Sequence, residues 1–323
     1  MNAIGIFCGG FSSEFHISMQ SAETIVKHFP NEYTPILVKI SQGKWECEWN
    51  ESKGEFDLNT ASVRINDHKI ELQGALIYIH GDPGENGKLQ AYLELFNIPY
   101  VNSGVLPSAL SFDKWYCNQF LKSFEVPVAK SVLLNQDTEV KPDQLVKELG
   151  LPIFVKPTAS GSSYGITKVK EVANLTPAIQ KAFKESNLVV LESFLDGVEV
   201  TCGVFRGTKG LVALPLTEIQ SENEYFDYEA KYLGKSKEIT PARIPIELTQ
   251  TVQSMAKKVY QLLDLRSIAR IDFMIVHATP YVIEVNTTPG FSSESIVPKM
   301  LAEAKISITD FWEEVFTVEL IKR

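Results

Sequence analysis

Asp272, Glu284 and Asn286 sit in two short runs near the C-terminus, Ala269-Arg-Ile-Asp-Phe-Met-Ile-Val276 and Tyr281-Val-Ile-Glu-Val-Asn286. Both runs alternate apolar and polar residues, which is strand periodicity. His277-Ala-Thr-Pro280 between them is a turn, so an antiparallel hairpin is expected. Side chains two apart share a face, which aligns Arg270 with Asp272 and Glu284 with Asn286. Two carboxylates, an amide oxygen and a guanidinium then form one patch. Hard oxygen donors on a rigid sheet suit Mg²⁺, with phosphate oxygens completing its shell. The same pattern also describes two solvated acids on an edge hairpin. The metal reading needs Asp272 opposite Glu284, which a three-residue loop, His277 to Thr279, would give. A two-residue turn would set Val285 opposite Asp272 and turn Glu284 to the other side.

Other segments carry groups of complementary chemistry. Thr158-Ala-Ser-Gly-Ser-Ser-Tyr-Gly165 joins two strands; Gly161 and Gly165 let backbone approach a phosphate, and Ser162 and Ser163 add hydroxyls. Lys156 precedes this loop. It is not a Walker A loop, since it lacks Gly-Lys-Ser/Thr and a following helix. Gly9-Gly10 with Ser12, Ser13 and Glu14 follows a strand and opens on a helix, an anion-friendly place, although Glu14 itself suits an amine. No GxGxxG is present, which opposes a nicotinamide oxidoreductase. His80 ends a strand ahead of Gly-Asp-Pro-Gly-Glu-Asn-Gly87, where it could touch a carboxylate or phosphate. Glu192, Phe194, Leu195 and Glu199 flank a strand end whose backbone could meet an adenine edge, with Glu199 on a ribose hydroxyl. Lys231 and Tyr232 lie in a long polar stretch, about 218–243, of the length that marks a lid. Folded over a site, they could exclude water. Gly290 and Ser295 follow the metal strand and offer an N–H and a hydroxyl to a carboxylate. Taken singly, each segment also has an ordinary reading, such as a flexible hairpin, an exposed acid, a structural histidine or a solvated charge run.

The elements that must position these groups fall into two patterns. Residues 1–101 alternate strand and helix, implying a parallel-sheet α/β unit: a strand at Ala3–Cys8, a helix from about Ser18 with Ser18 as N-cap, strands at Tyr33–Ile40 and Gly74–Ile79, and a helix at Gly87–Phe96. The polar stretch 43–73, with Trp45 and Trp49, reads as a small β excursion. From 102 onward come a helix over Ser108–Phe124, strands interspersed with helices, and an antiparallel sheet leading to the metal hairpin. The expected divisions are 1–101, 102–191 and 192–323. The chain of 323 residues is 44% hydrophobic and 22% charged, ordinary for a globular enzyme, with net charge −9. That charge argues against a nucleic-acid surface. No signal peptide or membrane span is expected. Cys8, Cys47, Cys117 and Cys202 form no CxxC pair, so no zinc or redox motif is indicated, and free thiols fit a reducing cytoplasm.

Assembled in order, the motifs resemble the D-alanine:D-alanine ligases of the ATP-grasp superfamily, over essentially the whole chain. They are Gly9-Gly-x-Ser-x-Glu14, His80-Gly-x-x-Gly-Glu-x-Gly87, Ser103-Gly-Val-x-x-Ser-Ala-Leu110 with Lys114, Lys156-Pro through Gly165, Asp227 to Tyr232, Arg270-x-Asp272 and Glu284-Val-Asn-Thr-Thr-Pro-Gly290. The resemblance implies three domains, mixed α/β and α+β, with two antiparallel sheets gripping ATP behind a Rossmann-like N-terminal domain. It implies that one D-alanine carboxylate attacks the γ-phosphate of ATP and that a second D-alanine's amine attacks the acyl phosphate, supplying peptidoglycan precursor in the cytoplasm. It assigns two Mg²⁺ (or Mn²⁺) to Asp272, Glu284 and Asn286, and ATP to Lys114, Lys156, Ser163, Glu192, Phe194, Leu195, Glu199 and Lys231. Glu14 would hold the first ammonium within a Glu14–Ser162–Tyr232 network, Arg270 the transferring phosphoryl group, and Gly290 and Ser295 the second carboxylate. His80 joins the substrate set. A homodimer is implied. Tyr232 favours an amine nucleophile over D-lactate; a D-alanine:D-lactate or other carboxylate–amine ligase is the alternative. Ser160, Ser193 and Glu294 depart from the commonest family pattern.

Overall fold

The structure, a computed structural model, describes residues 2–159, 165–221 and 236–320. Its N-terminal unit is an eight-stranded sheet. β1 (Ala3–Gly9) is buried along its whole length and pairs in parallel with β2 (Thr34–Ser41) and β7 (Gly74–Ile77), and β8 (Tyr100–Val101) completes the parallel part. A strand covered on both faces reads as an unbroken apolar run, which Ala3-Ile-Gly-Ile-Phe-Cys is. The 43–73 excursion is a meander of β3 (Lys44–Trp49), β4 (Ser52–Asp57), β5 (Ser62–Ile65) and β6 (His68–Glu71), continuing the same sheet antiparallel from β2.

Two helix expectations change. α1 spans Phe15–Lys27, so Ser18 lies inside it and is not its cap. The Ser18 hydroxyl is buried instead, donating to Tyr78 O at 2.6 Å and accepting from Gly9 N–H at 2.8 Å, which pins the glycine loop to the strand ends. α2 covers Lys88–Leu95. The helix expected over 108–124 is two, α3 (Val105–Phe112) and α4 (Lys114–Ser123). Asp113 breaks them by adopting an extended conformation and capping the amides of Trp115 and Tyr116, both at 3.0 Å.

A four-stranded antiparallel sheet follows, ordered β11 (Thr167–Val169), β10 (Ile153–Pro157), β12 (Leu188–Ser193), β9 (Ser131–Asn135). α5 (Pro142–Leu149) and α6 (Leu175–Ala182) cover one face, burying Ile153, Val155, Val189 and Leu191. Phe154, Lys156 and Glu192 therefore point away from those helices.

The third sheet holds β13 (Val198–Gly207), β14 (Gly210–Ala213), β15 (Thr217–Ser221), β16 (Ser236–Ile239), β17 (Ile268–Val276) and β18 (Thr279–Asn286). α7 (Ile246–Leu262) packs Val252, Ala256, Val259 and Tyr260 against Val200, Cys202, Ile271 and Phe273. Glu199, Thr201, Arg270 and Asp272 are consequently left on the opposite face. α8 (Ile296–Glu303) and α9 (Ile308–Leu320) close the chain. Trp312 of α9 is fully buried against Tyr78, Phe291 and Phe311, so one core joins the N-terminal sheet to the C-terminal helices. The four cysteines are free and buried. Among the described residues no helix is long and apolar enough to cross a membrane.

Candidate active site

The β17–β18 hairpin pairs Asp272 with Glu284 and Arg270 with Asn286, but not through a three-residue loop. Val276 pairs with Thr279, leaving a two-residue turn of His277 and Ala278, both left-handed at φ 47° and 66°, as hairpin turns favour. Taken alone, that turn would direct Glu284 to the wrong face. A bulge corrects it: Phe273 pairs with Val282 and Asp272 with Glu284, so Ile283 is the extra residue.

On this face Asp272 is saturated with donors. Its Oδ1 accepts from Arg270 Nε at 2.9 Å and Thr201 Oγ1 at 2.5 Å, and its Oδ2 from Arg270 Nη2 at 2.9 Å and Asn286 Nδ2 at 3.0 Å. Glu284 is paired with the buried Lys114, Nζ to Oε1 at 3.1 Å. Glu199 shares the face of Thr201, two positions away on β13. Among the described residues no three His, Cys, Asp or Glu side chains gather as a closed metal cage. Two carboxylates and an amide fit Mg²⁺ better than a cation demanding an all-protein shell, because Mg²⁺ keeps water and takes phosphate oxygens.

The lysine sites are linked by α4. Lys114 and Asn118 lie one turn apart, on one helix face. Lys114 reaches Glu284 on the six-stranded sheet, while Asn118 Nδ2 donates to Glu192 Oε1 at 3.0 Å on the four-stranded sheet. Glu192 Oε2 pairs with Lys156 Nζ at 2.5 Å, with both side chains at most 10% exposed. Lys168 stacks over the Phe194 ring at 4.0 Å, and the Phe194 N–H already donates to Pro152 O at 3.3 Å. Leu195 is half-buried beside it. Asn118 was not singled out from the sequence; its spacing from Lys114 was the available signal. Ser162, Ser163, Lys231 and Tyr232 lie outside the described residues.

A cavity of about 440 Å³ brings the remaining groups together. Glu14, His80, Glu85, Lys114, Arg270, Glu284, Asn286, Gly290 and Ser295 all line it. His80 is buried, and its Nδ1 lies 2.7 Å from Thr288 O, so that nitrogen carries the proton and donates. Burial holds the imidazole below its usual pKa, with Arg270 adding to that and Glu14 opposing it. A neutral His80 with its proton on Nδ1 offers Nε2 as an acceptor, which suits an ammonium rather than the carboxylate or phosphate expected from sequence. Glu85, within the quoted His80–Gly87 motif but given no role there, accepts from Gly81 N–H at 2.8 Å and Thr288 N–H at 3.1 Å. Burial pushes its carboxyl up to about 7, with Glu14 and Glu284 adding to the effect and the two amides opposing it. Ser295 Oγ accepts from Ser292 N–H at 3.0 Å, and a Cβ added at Gly290 would meet that hydroxyl at 3.0 Å. Close approach is the reason for a glycine here.

A parallel-sheet unit followed by two antiparallel sheets, lysines on one and paired carboxylates on the other, defines the ATP-grasp class. Comparison with known proteins agrees. The family described as D-ala D-ala ligase N-terminus matches residues 3–103, and D-ala D-ala ligase C-terminus matches residues 120–317. The D-alanine–D-alanine ligase of Flavobacterium johnsoniae is 42% identical over 322 residues, 99% of this chain and 100% of its own. That of Phocaeicola vulgatus is 40% identical over 315 residues, 97% of each. D-alanyl-alanine synthetase A of Vibrio cholerae superposes with TM-score 0.89 at 29% identity, covering 100% of both chains. The VanG D-Ala:D-Ser ligase of Enterococcus faecalis superposes with TM-score 0.87 at 29% identity, covering 98% of this chain and 99% of its own. The chain belongs to the D-alanine–D-alanine ligase family.

Proposed function

We propose that this cleft joins two D-alanines in two steps. The protein is an ATP-dependent D-alanine–D-alanine ligase serving peptidoglycan synthesis. In the first step a carboxylate oxygen of one D-alanine bonds to the γ-phosphorus of ATP as the bond to the ADP oxygen breaks. In the second, the amine of another D-alanine attacks the acyl carbon, loses a proton, and phosphate departs.

One observation carries the assignment of roles: Arg270, Glu284, Asn286 and Lys114 open into the same cavity as Glu14, His80, Gly290 and Ser295. Both anionic reactants must meet there, so positive charge must come from the walls. Lys114 and Lys156 take phosphate oxygens, and Arg270 the phosphoryl group in transfer. Asp272, Glu284 and Asn286 would hold two Mg²⁺ or Mn²⁺, which supply charge neutralisation between the reactants. Glu14 and the free lone pair of His80 receive the first ammonium. Gly290 and Ser295 receive the second carboxylate. Glu192, Phe194, Leu195 and Glu199 flank the nucleoside, and Ser162, Ser163, Lys231 and Tyr232 complete the phosphate and lid contacts. The working unit is a cytoplasmic homodimer, each chain divided near 101 and 191.

ADP release by the purified protein should depend on D-alanine and a divalent cation, and fail with L-alanine. Arms with D-serine and D-lactate separate the amine acceptor from its relatives, D-serine because of the VanG likeness. Arg270→Ala should abolish turnover while ATP still binds; unchanged turnover would remove Arg270 from the mechanism.

A further inference from the structure

Thr288 lies midway between Asn286, on the metal strand, and Gly290, on the acceptor side. It is 2% exposed, and each of its polar atoms is held by a different residue of the N-terminal unit. Its N–H donates to Glu85 Oε1 at 3.1 Å, its carbonyl accepts from His80 Nδ1 at 2.7 Å, and its hydroxyl accepts from Asn102 Nδ2 at 3.0 Å. The next residues are tied the same way. Tyr78 donates its hydroxyl hydrogen to Pro289 O at 2.7 Å, and Phe291 N–H donates to Ser21 Oγ at 3.1 Å. Asn102 is itself fixed. It is 3% exposed, its Nδ2 also donates to Ile77 O at 3.1 Å, and its Oδ1 accepts from Gln90 Nε2 at 3.1 Å.

Thr288, Glu85 and His80 line the cavity, with the Thr288 hydroxyl committed to Asn102, whereas Asn102 and Tyr78 do not line it. Asn102 is anchored to the N-terminal unit by Ile77 O and Gln90 and spends its remaining bond on the Thr288 hydroxyl, so with no access to the reactants it acts on the reaction through geometry. From this we infer that Asn102 and Thr288 are positioning residues: their contact sets the Thr288–Gly290 loop, and with it the acceptor carboxylate, in register with the donor ammonium at Glu14. The inference rests on the ligase reading above and deepens it. Small displacements suffice, since reacting groups held about 3 Å apart lose rate steeply when misplaced by ~1 Å.

The test compares Thr288→Val, which removes only the hydroxyl, with Thr288→Ser, which keeps it, and with Asn102→Ala. The two D-alanine KM values are separated from the dependence of rate on D-alanine concentration. Thr288→Val should raise the KM of the second D-alanine roughly tenfold, as expected for one buried hydrogen bond broken, and Asn102→Ala by at least as much, since it also strands Ile77 O and Gln90. The KM of the first D-alanine should rise less than that of the second, since Glu14 is untouched and only His80 leans on the Thr288 carbonyl. Thr288→Ser should restore wild-type values, and the double variant should be no worse than the weaker single. If Asn102→Ala does not fold, the Val and Ser pair alone decides. Equal loss of thermal stability with unmoved KM values, or effects that multiply in the double variant, would overturn the inference. An inactive wild type would instead overturn the reaction, and the inference with it.

Discussion

The Lys156–Glu192 pair allows a sharp energetic test. Its separation of 2.5 Å, with side chains 10% and 6% exposed, places two opposite charges almost out of water. At an effective dielectric of ~20 their attraction is about 7 kcal/mol. Desolvation costs several kcal/mol for each ion, so the pair as a whole contributes little net stability. Breaking it is another matter. Lys156→Met leaves Glu192 buried with only the Asn118 amide, and should destabilise the protein by roughly 3–5 kcal/mol. Adding Glu192→Leu to that variant removes the stranded charge and should recover most of the loss, although nucleotide binding stays lost. Urea unfolding of the two single variants and the double variant, followed by backbone circular dichroism, reads the coupling. If Lys156→Met unfolds at the wild-type midpoint, or the double variant is the sum of the singles, the buried-pair argument is wrong.

Gly290→Ala places a methyl 3.0 Å from Ser295 Oγ; steady-state kinetics should show a raised second-substrate KM, matched by Ser295→Ala. Asp113→Ala removes the cap of α4 and should cost about 1 kcal/mol in urea unfolding, with weaker ATP affinity because Lys114 begins that helix. Glu85 has a carboxyl held near 7 when folded against 4.5 when unfolded. Between those values the folded chain keeps a proton the unfolded chain has released. The stability this group contributes is therefore full below 4.5 and falls as pH rises towards 7, by at most ~3 kcal/mol given its partial exposure at the cavity wall. His80, held low, acts oppositely below its unfolded value of 6.5. The stability difference between wild type and Glu85→Gln isolates the first effect, and a flat difference from pH 4.5 to 7 would refute it.

Much of the site was legible because period-two alternation states which side chains share a face. Arg270 with Asp272 and Glu284 with Asn286 follow from spacing alone. Their mutual register does not, because it depends on a bulge at Ile283 that compensates a left-handed His277-Ala278 turn lacking the usual glycine. His277-Ala-Thr-Pro280 reads as the turn, but Thr279 and Pro280 stand in β18. The break between α3 and α4 had a local signal, an aspartate followed by amides to cap, hidden inside an otherwise continuous apolar pattern. Contacts such as Asn118 with Glu192 or Asn102 with Thr288 join residues 74 and 186 apart, and no periodicity names a partner at that range.

The charge balance of the cleft leads to a last prediction. Four of its acids are matched by a base: Asp272 with Arg270, Glu284 with Lys114, Glu192 with Lys156, Glu238 with Lys299. A phosphate that draws Arg270 and Lys114 to itself leaves Asp272 and Glu284 uncompensated, facing the same anion. Asp272 and Glu284 would then hold a divalent cation, which would supply the positive charge the bases give up, so that no charge is stranded. Without the cation, each displaced pair costs binding energy. ATP affinity measured by calorimetry should therefore weaken more than about tenfold in chelator. Asp272→Asn together with Glu284→Gln should shrink that dependence, because the acids that make it necessary are gone. An ATP Kd indifferent to chelator in the wild type would show that the bases never leave their acids, and the exchange argument would fail.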